Sequence, residues 1–154
     1  MTQTRVFTVL RYAIGAFFVL SGIGKIIDSS VAEKAISYIT TDFHAMLPQN
    51  PRVLVLGFSV VEILVGGLLL ANRFVSLAVM ASCALLLAFS IPLAETVIKG
   101  LDVPACGCSG VFDLGMSLRV ALARNLVLYA LLMWMALYLQ RTGAGFQGLF
   151  TKRA

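Results

Sequence analysis

Two cysteines separated by one glycine, Cys106-Gly107-Cys108, are the residues in this 154-residue chain best suited to covalent chemistry. A disulfide between them closes a very small ring. Bridged cysteines usually hold their Cα atoms ~5.5–6 Å apart, and departures store strain. A strained, exposed disulfide has a raised reduction potential and oxidises other thiols readily. Gly107 eases closure, because glycine takes backbone conformations that other residues resist. As a staple the pair would close a trivial loop and add little. The spacing therefore suits thiol–disulfide exchange, with Cys106 and Cys108 as the reacting residues. Cys108 lies nearer Arg119 and Arg124, which favour a thiolate, so it is read as the lower-pKa thiol and Cys106 as the resolver. Two other readings stay open. Two thiolates can hold a metal if one or two more ligands come from His44, Met46 or nearby acids; no metal site is assigned. The segment can also be a plain turn, since a lone C-x-C is a weak signal. Cys83 stands apart in an apolar run, where a small cysteine normally packs.

The elements that must position this pair follow from composition. The chain is 60% hydrophobic and 12% charged, against about 45–50% and about 25% in soluble domains. Its mean hydropathy is +0.95. Disordered, collagenous, coiled-coil and soluble two-domain classes are excluded. The net charge is +5 and the pI near 9.5. The basic residues flank apolar runs, which is membrane usage and argues against nucleic acid as a partner. Four runs are long enough to span a bilayer: residues 6–27, 53–70, 74–98 and 120–139. They are too long and continuous for barrel strands. The expected fold is an all-α integral membrane four-helix bundle forming one domain. The first run is read as a retained helix, because no A-x-A-like cleavage site follows it.

Residues 28–52 and 99–119 then lie on one side, and both termini on the other. Ser30 and Glu33 have capping-box spacing, and Val31, Ala35, Ile39, Phe43 and Met46 follow at helical intervals. A short interfacial helix is expected there, ending before Pro48. Arginine and lysine divide six to six between the sides, so the positive-inside rule does not orient the chain. Asp28, Glu33, Asp42, Glu95, Asp102 and Asp113 all fall on the connector side. That bias, and the oxidising compartment a disulfide needs, place the termini in the cytoplasm with the connectors outside.

Charges inside the runs are costly and mark structure or function. Glu62 lies roughly 13 Å into the second run and Arg124 about 6 Å into the fourth, at 1.5 Å per residue. Arg124 and Arg11, which enters from the terminal side, are the candidate partners of Glu62. Asn125 can hydrogen-bond between helices. Lys25 and Lys99, at helix ends, are expected to snorkel to the interface. Arg124, close beneath the dithiol, can favour a thiolate or face a quinone headgroup; no cofactor is otherwise indicated.

Several features together resemble one family. They are Arg11, Gly15, Phe18, Ser21-Gly22 and Lys25; Val61-Glu62-Ile63 with Gly66-Gly67; Cys106-Gly107-Cys108-Ser109-Gly110; and Arg124-Asn125. The chain is similar to MauE, the methylamine-utilisation membrane proteins, within the wider DoxX-like group, over about residues 5–140. The family usually has Phe where this chain has Ser109. The resemblance implies maturation of periplasmic, disulfide-rich proteins with a thioredoxin-like partner. It also resembles quinone-linked disulfide generators in architecture, but residues 28–52 hold no second cysteine pair to act as an internal relay. The leading expectation is a membrane thiol–disulfide oxidoreductase or maturation factor acting on a thioredoxin-like protein or cysteine-rich client. The alternatives are a non-enzymatic subunit of a larger membrane complex and a metal-handling or transport protein.

Overall fold

A computed structural model describes residues 2–30, 32–33, 50–99 and 117–142. Four helices account for almost all of them: α1 (Thr2–Ile27), α2 (Pro51–Leu70), α3 (Val75–Ile98) and α4 (Leu118–Arg141). No strand occurs among the described residues. All four helices are long and apolar enough to cross a membrane, and the chain is a multi-pass membrane protein with the expected all-α bundle.

Helices α1, α2 and α4 begin two to four residues before their apolar runs, and α3 begins one residue after its own. At α2, the Asn50 side chain accepts a hydrogen bond from the Arg52 amide at 3.1 Å, and Pro51 occupies the first turn. Proline fits there because its missing N–H would lack a partner anyway. At α4, Leu118 is drawn into the helix by burial against Leu93 and Ala121. The α2–α3 connection is a tight turn of four residues, Ala71 to Phe74. The Ala71 and Arg73 amides donate to the carbonyls of Gly67 and Leu68, and Asn72 and Phe74 take positive φ, 54° and 49°. Phe74 thus caps α3 and is not its first residue.

Of the expected interfacial helix, residues 31 and 34–49 lie outside the described residues. Its start is displaced: Ser30 is already helical, the Asp28 carboxylate accepts from the Ser30 amide at 3.0 Å, and Ser29, not Ser30, donates to Glu33.

Helix α1 packs most closely on α2 and α3 on α4, while α1 and α4 meet sparsely. Glycine makes the first contact possible. A Cβ on Gly22 would fall 2.7 Å from the Ser59 carbonyl, and one on Gly66 would fall 2.7 Å from the Gly15 carbonyl. Small residues let helices approach in lipid, where no hydrophobic force joins them. At the terminal side, Thr4 and Phe7 of α1 meet Tyr138 of α4, so both ends of the described chain share one side. The larger apolar core fills that half, around Ile14, Phe18, Leu69, Val79 and Leu132. A smaller one, Leu93, Leu118 and Ala121, lies at the connector end. Val9, Leu64, Met80, Ile91 and Val127 point outward to the lipid.

The two glycines of the pair Gly66-Gly67 have opposite surroundings: a Cβ on Gly67 would meet nothing within 4 Å. Gly66→Ala is expected to lose about 1–3 kcal/mol through overpacking. Gly67→Ala is expected to gain about 0.5–1 kcal/mol through helix propensity. Thermal unfolding of the two variants in one detergent checks this; midpoints that move in the same direction contradict the packing.

Candidate functional site

Between the two apolar cores all four helices contribute polar or aromatic groups to one layer. Helix direction determines how they meet. Side chains lean toward the N-terminus of their own helix. Helix α1 runs toward the connector side, so Lys25, near its end, leans back into the bundle. Helix α2 runs the other way, so Glu62 leans toward Lys25. Their Nζ and Oε1 atoms are 2.6 Å apart, and each side chain is only 4% exposed. Glu62 sits about 16 Å along α2 from Pro51 and about 12 Å from Leu70, close to mid-membrane. The ammonium also lies 4.6 Å from the centroid of the Phe89 ring on α3. Phe89 is held edge-on by Phe58 of α2, with centroids 5.2 Å apart.

The fourth helix completes the layer. Arg124 places its guanidinium carbon 5.3 Å from the Phe17 ring of α1, bridging the sparse α1–α4 seam. Its Nη2 is 3.4 Å from the Asn125 oxygen, and Asn125 Nδ2 is 3.4 Å from the Ser90 hydroxyl of α3. The Arg124 guanidinium and the Ser21 hydroxyl also interact with Glu62. Glu62 Oε2 is buried without a hydrogen-bond donor of its own among the described residues. With Lys25 and Arg124 facing Glu62, the layer is net positive. Ser59 and Ser82, also buried, satisfy their hydroxyls locally on the Val55 and Ala78 carbonyls.

The structure thus brings together Lys25, Glu62, Arg124 and Asn125, and corrects two expectations. The direct partner of Glu62 is Lys25, not Arg11 or Arg124. Lys25 does not snorkel, because reaching the interface would mean reversing the lean of its side chain. Lys99, the C-cap of α3, is exposed and pairs with Glu95 at 2.7 Å. Arg11 lies far from Glu62, with its guanidinium 4.7 Å from the Tyr12 ring. Cys106, Gly107 and Cys108 lie outside the described residues. Cys83 is a half-buried free thiol packed beside the larger core. Among the described residues no three His, Cys, Asp or Glu side chains gather as a metal site would need. Phe17, Phe89 and Ser90 were not legible as site residues: each sits in an apolar run with nothing in its type or spacing to distinguish it.

A multi-pass four-helix bundle with a buried charged layer is the class that fold and site define. The sequence profile described as methylamine utilisation protein MauE matches residues 3–138, and the chain belongs to that family. No curated protein and no solved structure matches it.

Removing one member of a buried ion pair strands the other, at a cost of about 3–5 kcal/mol, whereas replacing both by apolar residues is often neutral. Glu62→Leu leaves two cations facing each other, while Lys25→Met leaves Glu62 the field of Arg124. Glu62→Leu is therefore expected to be the more damaging single change, and the Lys25→Met/Glu62→Leu double variant to recover most of the loss. Folded yield and thermal midpoint report this; additive losses would show that the two residues are not coupled.

Proposed function

We propose that the protein is a thiol–disulfide redox or maturation factor of the bacterial inner membrane, acting on periplasmic proteins through Cys106 and Cys108. In this scheme both termini are cytoplasmic and the connectors face the periplasm. A client thiolate attacks one sulfur of the Cys106–Cys108 disulfide, and the other sulfur leaves as a thiolate. A second client thiol, losing its proton, resolves the mixed disulfide. The client gains a disulfide and gives up two electrons, and the pair becomes a dithiol. The disulfide of a thioredoxin-like partner takes those electrons by the same exchange in reverse and restores the pair. A quinone headgroup is the alternative acceptor, with Arg124 the residue that would face it.

The observation that carries this reading is the net-positive layer under the helix that follows the dithiol. Cys108 precedes the α4 N-cap, Ser117, by nine residues, a tether of at most ~30 Å. Arg124 stands in the second turn of that helix. Positive charge lowers a thiol's pKa and raises its thiolate fraction. Family membership adds support, as a methylamine-utilisation membrane protein is one expected to act beside an enzyme-maturation pathway. Gly107 allows the small ring, and Asn125 anchors the head of α4 to α3.

Exchange through a mixed disulfide leaves a signature. With Cys106→Ser or Cys108→Ser, the remaining cysteine is expected to trap its partner as an adduct on non-reducing gels, most strongly with Cys108 retained. If neither variant traps a protein, and the double variant supports its host pathway as well as the parent, the chain is a non-enzymatic subunit and the C-G-C a turn.

A further inference from the structure

Arg11 is the buried charge that the polar layer leaves unused. Its relative exposure is 6%, and its Nη1 is buried with no hydrogen-bond partner among the described residues. A buried charged donor without an acceptor is a substantial destabilisation, so an acceptor is called for. Among the described residues no carboxylate side chain lies at this end of the bundle. No Asp or Glu occurs before Asp28, between Gly66 and Ala94, or after Asp113. Glu62 is committed to Lys25 at the other end of α1.

The depth of Arg11 indicates where the acceptor comes from. A Cβ on Gly15 would meet Leu70, the last residue of α2, at 3.0 Å. Arg11 is one turn, about 6 Å, nearer the terminal side. It is therefore level with the α2–α3 turn, and its side chain leans further toward that surface. Tyr12 stacks against the guanidinium, and Trp134 stacks on Tyr138 with centroids 5.7 Å apart at the same end of the bundle. Aromatic residues gather where helices cross the headgroup layer. Arg5, Arg73 and Arg141 are exposed at this end and add positive field.

We infer that Arg11 binds a phosphate oxyanion, and that its source is the headgroup of an anionic phospholipid seated at the terminal-side end of α1 and α2. The planar guanidinium fork matches phosphate oxygens in a way a lysine ammonium does not. The exposed arginines attract the same lipid, but Arg11 is distinguished by being too buried to be served by water alone. This site is independent of the dithiol and of the Lys25–Glu62 pair.

The test uses the full chain, purified in detergent and stripped of lipid. Phosphatidylglycerol, phosphatidylcholine and inorganic phosphate are titrated separately, and thermal midpoint and lipid retention in native mass spectra are read. Phosphatidylglycerol is expected to raise the midpoint and stay bound, and phosphatidylcholine and free phosphate to do neither. In Arg11→Gln the apparent affinity for phosphatidylglycerol is expected to fall about tenfold or more, the scale of one lost charge-assisted hydrogen bond. Arg73→Gln should keep most of it. Equal retention in wild type and Arg11→Gln overturns the site, as does wild type that shows no preference for phosphatidylglycerol over phosphatidylcholine. An equal effect of inorganic phosphate overturns the lipid source. If Arg11→Gln does not fold, Arg11→Lys takes its place, with a weaker but measurable affinity expected; an unchanged affinity overturns the role of the guanidinium fork.

Discussion

The 2.6 Å contact between Lys25 and Glu62 is the constraint around which this bundle is arranged. An ammonium and a carboxylate in hydrocarbon are each costly to bury. Together they are tolerated only where their helices run close and in the right register. The close approach is supplied by Gly15, Gly22 and Gly66, where a Cβ would collide with the facing helix. The register is fixed by the opposed lean of the two side chains. Shifting α1 by one residue would turn Lys25 away from α2, leaving Glu62 with Arg124 across the layer as its remaining countercharge. The pair therefore contributes specificity of packing, whatever its net contribution to stability.

The other two helices build on that frame. Helix α3 supplies Phe89 to the Lys25 ammonium and Ser90 to Asn125, and α4 supplies Arg124. The polar layer thus ties together hairpins that otherwise meet loosely, since α1 and α4 touch at few points. One of those points is Arg124 over Phe17, within the charged layer, and another is Tyr138 against Phe7 at the terminal end. Below the layer lies the larger apolar core, with Arg11 buried at its terminal end.

Much of this was legible in the sequence, for reasons that differ by residue. Four long apolar runs can hardly be anything except spanning helices. Glu62 announced itself as a buried charge, and Arg124 and Asn125 as its neighbours in the bundle. The partner was misread because Lys25 sits near a helix end, where proximity to the interface suggested snorkelling. The direction of the helix decides the matter, and direction enters only when lean and register are considered together. Phe17 and Phe89 were invisible because an aromatic ring in an apolar run looks like core until a cation is found over its face. Helix starts were misplaced by two to four residues at α1, α2 and α4, since Asn50, Pro51 and Leu118 act through capping and burial and not through hydropathy.

The most direct measurement is the infrared difference spectrum between the wild-type protein and Glu62→Gln, in bilayers at neutral pH. An ion pair with Lys25 predicts that Glu62 is a carboxylate, so the variant loses antisymmetric and symmetric carboxylate bands. The bands should shift when Lys25 is replaced by Met. A protonated-acid carbonyl band in the wild type, absent in Glu62→Gln and indifferent to Lys25, would contradict the ion pair and with it the constraint on which the bundle is built.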